Sequence, residues 1–118
     1  MVVSYHTNKL QKICNEEKAG IKALGSDCAR KLRQRLAELV AVEVLSDISH
    51  LPPSRCHELT NRGGVFSVDL QHPYRLLFIP ANEPVPRKPD GGLDLRQVTA
   101  VEITGIEDTH DAKNQRRG

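Results

Sequence analysis

At 118 residues the chain has the length of one ordinary domain, enough to bury a core without disulfide or metal staples. Its 17 basic and 15 acidic residues leave a net charge of +2, too little to mark a nucleic-acid binder by bulk charge, so any such role must come from local placement. Trp is absent and aromatics are scarce, which points to an aliphatic core. No run approaches the length of a membrane span. The first ten residues lack the apolar stretch and cleavage site of a secretory signal, so the expected location is the cytoplasm, away from membranes.

Val2-Val3-Ser4-Tyr5 is a short β-prone opening. Thr7 or Asn8 can cap a short helix through about Cys14, with Leu10 and Ile13 on one side. Residues 15–25 are charged and carry Gly20 and Gly25, which weaken their helical preference. Ser26-Asp27 is a helix start. Cys28, Leu32, Leu36 and Leu39, with Ala29 and Val40, then recur at helical spacing, predicting a helix over about 27–44. Arg30, Lys31, Arg33, Gln34 and Arg35 are assigned to its polar face. Ser46-Asp47 offers one further turn before Pro52-Pro53, which end any helix because proline has no N–H to donate.

Beyond the prolines the texture is that of a sheet. Residues 55–59 read as a strand and Asn61-Arg62-Gly63-Gly64 as a turn. Phe66, Val68 and Leu70 alternate with Ser67 and Asp69. After the turn at Gln71-His72-Pro73, residues 74–79 are apolar on both faces except at Arg75, as in a central strand. Four prolines and two glycines make 80–92 an excursion. Residues 97–106 are the last strand, rich in β-branched side chains. Helices followed by strands predict α+β: an N-terminal strand and helices packed on one face of a small antiparallel sheet, in a single domain over 1–112 with a polar tail at 113–118.

The second half carries a resemblance. Leu51-Pro52-Pro53-Ser54-Arg55-Cys56-His57-Glu58-Leu59, then Gly64-Val65-Phe66-Ser67-Val68-Asp69-Leu70 and Pro73-Tyr74-Arg75-Leu76-Leu77-Phe78, resemble the strand and hairpin of HigB-type toxins in the RelE/ParE superfamily. The closing Ile106-Glu107-Asp108-Thr109-His110 is similar to their final "Asp-Tyr-His". Lys9-Leu10-Gln11-Lys12-Ile13-Cys14 and Arg30-Lys31-Leu32-Arg33-Gln34-Arg35-Leu36 also fit, and the loop Val85-Pro86-Arg87-Lys88-Pro89-Asp90-Gly91-Gly92 is similar to a longer subgroup, some of which carry the label "killer suppression protein". The resemblance implies a RelE-like α+β toxin of a toxin–antitoxin pair. Its implied activity is ribosome-dependent cleavage of translated mRNA. Its implied partners are the ribosome, mRNA and a cognate helix-turn-helix antitoxin. The chain departs from the pattern in two ways: Glu58, Thr60 and Asn61 stand where a lysine is common, and Thr109 where a tyrosine is usual. Those departures motivate two alternatives on the same fold, a gyrase-binding toxin without nuclease activity and a degenerate antitoxin-binding module.

RNA is cut without a metal when its 2′-hydroxyl attacks the adjacent phosphate. The reaction needs a base, an acid and cations around the phosphate, and acid–base help contributes roughly 10²–10⁴-fold. Arg75 is the leading candidate, because an arginine inside an apolar strand is costly unless paired or functional. It would grip a phosphate with two parallel hydrogen bonds, or else form an ion pair with Asp69 or Glu102. His110 and His57 are candidate acid–base groups, each with a plain surface or packed histidine as the alternative. Arg55 shares a strand face with His57. Arg62 can reach a phosphate from its turn or simply be solvated. Arg30 and Arg33 head a basic helix stripe that is either a solvated face or a contact for RNA or an acidic antitoxin segment. No metal or other cofactor is expected, since His and Cys lack ligand spacing. Cys14, Cys28 and Cys56 are odd in number and far apart, so buried reduced thiols are expected rather than a catalytic one.

Overall fold

A computed structural model describes residues 1–108. Strand β1 (Val2–Tyr5) leads into helix α1 (Asn8–Asn15), whose first turn is closed by Thr7 accepting the Leu10 N–H at 3.1 Å. Helix α2 (Glu17–Leu24) follows at once, and Gly25, at φ 84°, makes the left-handed corner into α3. Gly20 does not break α2. It allows close approach to α1, since a Cβ there would stand 2.9 Å from the Ile13 carbonyl oxygen.

Helix α3 (Ser26–Ala41) is three residues shorter at its C-terminus than its apolar spacing predicts. Val42 is already extended, and the Met1 ammonium donates to the carbonyls of Leu39, Val40 and Val42, closing the helix end. The expected further turn is a single 3-10 turn at Leu45–Asp47.

Four strands complete a five-stranded sheet: β2 (His57–Glu58), β3 (Phe66–Asp69), β4 (Tyr74–Pro80) and β5 (Ala100–Asp108), in the order β1-β5-β4-β3-β2. The class is α+β. The strands from β2 to β5 form an antiparallel meander, while β1 pairs with β5 in parallel, so the sheet as a whole is mixed. The strand expected over 55–59 shrinks to two residues because Arg55 adopts a left-handed φ of 50°, which no strand accommodates.

The helices cover one face. Leu32, Leu36 and Leu39 of α3 pack with Phe66, Val68, Leu76, Phe78, Val101 and Ile103, and the rings of Phe66 and Phe78 stack across β3 and β4 at 5.9 Å. All three cysteines are buried and free, and burial pushes the Cys14 and Cys56 thiols up to about 11. Among the described residues no helix is long and apolar enough to cross a membrane.

Candidate functional site

The alternation of side chains along β3 and β4 sorts the sheet into two faces. Phe66, Val68, Leu76 and Phe78 turn to the helices, so Ser67, Asp69, Arg75 and Leu77 turn away from them. His57 lies opposite Ser67 and joins this second face. Arg75 is central to it, paired in register with Asp69 on β3 and with Glu107 on β5.

Glu107 reaches that face through a bulge. Leu77 pairs with Gly105 but Phe78 pairs with Ile103, so Thr104 is an extra residue in β5. Val101 and Ile103 are fully buried in the core, and an unbroken strand would send Glu107 after them. The extra residue reverses the parity. Ile106 packs against the core instead, and Glu107 meets the arginines.

The contacts there are charge-assisted and unevenly shared. Arg62, at the turn before β3, grips Glu107 with both amino groups, Nη1 to Oε2 at 2.6 Å and Nη2 to Oε1 at 2.9 Å. That pairing lowers the Glu107 carboxyl below its ordinary range and raises the Arg62 guanidinium, with Arg75 adding a smaller pull on the carboxylate. Arg75 stands 3.9 Å from the same carboxylate, beyond hydrogen-bonding distance, and only 18% of its side chain is exposed. Its Nε is buried with no partner among the described residues, as is the hydroxyl of Ser67. Leaving such a donor unmet would cost about 1–3 kcal/mol. Neither expected ion-pair partner serves Arg75: Asp69 faces Arg55 at 3.6 Å, and Glu102 faces His6 at 3.6 Å.

His57 Nδ1 lies 3.0 Å from the Arg55 carbonyl oxygen. A carbonyl only accepts, so Nδ1 carries the hydrogen and the neutral ring keeps its lone pair on Nε2. Two cavities share His57 and Arg75 as walls. One, of about 160 Å³, is completed by Leu59, Thr60, Asn61 and Arg62. The other, of about 310 Å³, is bounded by Arg55, Asp69, His72 and Tyr74 among others. Together they make a groove along which three guanidiniums face two carboxylates.

Of the residues singled out in the sequence, Arg75, His57, Arg55 and Arg62 are therefore brought together. Arg30 and Arg33 are not. They lie on the helix layer, across the sheet from Arg75, where Arg30 faces Asp27 at 3.7 Å and Arg33 borders a small hollow beside Glu16 and Glu17. Arg35 does not belong to the exposed basic stripe. It is 4% exposed and donates to the Asp69 carbonyl, the Pro53 carbonyl and Glu38. His110, Thr109 and the polar tail at 113–118 lie outside the described residues.

Two participants escaped the sequence reading. Gly105, a lone glycine inside a β-branched run, was the available sign of the bulge that delivers Glu107. Arg35 follows Leu32 by three residues and precedes Leu39 by four, which already places it on the apolar stripe. Among the described residues no three His, Cys, Asp or Glu side chains converge as metal ligands would. Comparison with known proteins found no match among family models, curated proteins or solved structures.

Proposed function

We propose that this chain is a HigB-type toxin of the RelE/ParE superfamily, a ribosome-dependent endoribonuclease of translated mRNA held inactive by a small helix-turn-helix antitoxin. The observation that carries the reading is Arg75, a mostly buried guanidinium that lines two cavities together with His57. A phosphodiester oxygen is the kind of acceptor that a guanidinium lining such a groove can hold. Arg55 and Arg62 lie along the same groove to hold neighbouring phosphates.

The chemistry is transesterification. The 2′-oxygen bonds to phosphorus and the P–O5′ bond breaks, leaving a 2′,3′-cyclic phosphate and a 5′-hydroxyl. The Nε2 lone pair of His57 takes the 2′-hydroxyl proton. The leaving 5′-oxygen takes a proton from an acid, the role assigned to His110. Arg75 stabilises the extra negative charge on the phosphorane, usually the largest single contribution.

Expression without antitoxin is expected to arrest growth and to create new mRNA 5′ ends within codons. Arg75→Ala should lower the cleavage rate by at least about 10²-fold, as loss of one donor to a developing oxyanion does, and should relieve the arrest. Intact transcripts during arrest would overturn the nuclease reading. One observation favours the alternatives: Arg62 gives a donor of each amino group to Glu107, which occupies one of the cations along the groove. Inhibition of supercoiling by the purified protein would then identify a gyrase-binding toxin, and unimpaired growth an antitoxin-binding module.

A further inference from the structure

Glu107 sits where an anionic ligand belongs. Two guanidiniums converge on its carboxylate from different elements, Arg62 from the turn before β3 and Arg75 from β4. A carboxylate and a phosphodiester present the same pair of oxygens to an arginine fork. We propose that the space between Arg62 and Arg75 is a phosphodiester-binding clamp, and that Glu107 is its internal stand-in, displaced when RNA binds. The proposal rests on the RNA-directed reading of this face and adds a regulatory element to it.

Three features support a stand-in over a fixed structural pair. Firstly, the carboxylate fits its two cations unequally. Arg62 bonds both carboxylate oxygens, while Arg75 Nη2 is left at 3.9 Å, so the carboxylate does not hydrogen-bond both cations. A larger tetrahedral anion could reach both. Secondly, Arg62 stands beside Gly63 and Gly64, and Gly64 holds a φ of 82°, so the cation is mounted on a turn rather than within a strand. Its side chain is 40% exposed and can follow a ligand into the groove. Thirdly, Glu107 is aimed at the clamp by an extra residue in β5 and not by the regular alternation of the strand. Bulges recur where a strand must re-aim one side chain.

Displacement predicts competition. Each phosphodiester that enters must break the Arg62–Glu107 pair, so removing the carboxylate should strengthen binding. The probe is a fluorescently labelled 2′-O-methyl oligoribonucleotide, which has no 2′-hydroxyl to attack and so reports binding apart from cleavage. Glu107→Gln is expected to tighten its Kd by about tenfold, equivalent to about 1.4 kcal/mol. Asp27→Asn removes the same unit of negative charge from the helix layer, across the sheet from the clamp, and should change Kd by less than about threefold, the scale of an exposed charge. In an Arg62→Ala background the gain from Glu107→Gln should vanish, because the competed pair no longer exists.

Equal gains from Glu107→Gln and Asp27→Asn would reduce the effect to bulk charge and overturn the clamp. Unchanged or weaker binding by both Glu107→Gln and Glu107→Ala, with each variant shown to be folded by its melting transition, would make Glu107 a structural support and also overturn it. The proposed nuclease function is read separately. Absence of mRNA cleavage in expressing cells with tighter binding by Glu107→Gln removes the nuclease and keeps the clamp. Cleavage without that gain does the reverse.

Discussion

Arg55 holds the least comfortable backbone in the site. Its φ of 50° brings Cβ toward the neighbouring carbonyl at a cost of about 1–2 kcal/mol for an L-residue. The compensation visible is small, since the Asp69 contact is long and both side chains are substantially exposed, which makes such a pair worth about 0–1 kcal/mol. Arg55→Gly removes the strain and the cation together, whereas Arg55→Ala removes the cation and keeps the strain. The glycine variant is therefore expected to be more stable than the alanine variant by about 1 kcal/mol in chemical denaturation, despite the usual entropic penalty of glycine. Both should weaken RNA binding to the same degree. An alanine variant at least as stable as the glycine one would show that the left-handed geometry carries no cost. The strain also explains why a strand over 55–59 looked natural from side chains alone: Arg55, His57 and Leu59 alternate well, and nothing in an arginine announces a positive φ.

Two glycines show how differently the elements use the same residue. Gly20 sits inside α2, where alanine would ordinarily gain about 1 kcal/mol of helix propensity. A Cβ there would come within 2.9 Å of the Ile13 carbonyl oxygen, a backbone atom that cannot swing aside. Overpacking costs about 1–3 kcal/mol, so after the gain in propensity Gly20→Ala is expected to lower stability by about 1 kcal/mol, and by about 2 kcal/mol at most. Gly105 is the opposite case. A Cβ there meets nothing within 4 Å, and Gly105→Ala should be neutral or stabilising by about 0.5 kcal/mol. Thermal melts of the two variants side by side check the contrast, and a stabilised Gly20→Ala would refute the close α1–α2 approach. The elements themselves were mostly legible. The apolar spacing along α3 and the alternation along β3 are strong local signals. The Thr104 bulge was not, because register is a relation between two strands and leaves only a glycine as its trace in one. For the same reason the parallel pairing of β1 with β5, across nearly the whole described chain, had no local signature. The site was half legible: Arg75, His57, Arg55 and Arg62 stood out by type, but the carboxylate that organises two of them did not.

Across the whole molecule, helices and sheet meet through an apolar core into which Arg35, only 4% exposed, carries a polar bridge. Arg35 leaves α3 on the apolar stripe and ends in three places: Nε on the Asp69 carbonyl at 2.8 Å, Nη1 on Glu38 at 2.9 Å and Nη2 on the Pro53 carbonyl at 3.3 Å. Ser54 closes the loop by donating to the other oxygen of Glu38 at 2.7 Å. The bridge ties the helix layer to the segment before β2 and to the end of β3, the two places from which Arg55 and Asp69 enter the groove. A lysine could satisfy at most a point in this geometry, since only a guanidinium spans three acceptors. Arg35→Met keeps the volume of the stem but abandons two carbonyls and one side of Glu38. Breaking a buried charged network typically costs about 3–5 kcal/mol. Because Glu38 is partly exposed and water can replace one contact, a loss near 3 kcal/mol is expected, lowering Tm by more than about 10 °C. If the bridge also positions the groove, Arg35→Met measured well below its Tm should bind the 2′-O-methyl oligoribonucleotide several-fold more weakly than wild type, although Arg35 lies beneath the sheet and touches no ligand there. A melting loss with unchanged binding would confine Arg35 to stability, and an unchanged Tm would mean that the bridge adds nothing to the packing of the two layers.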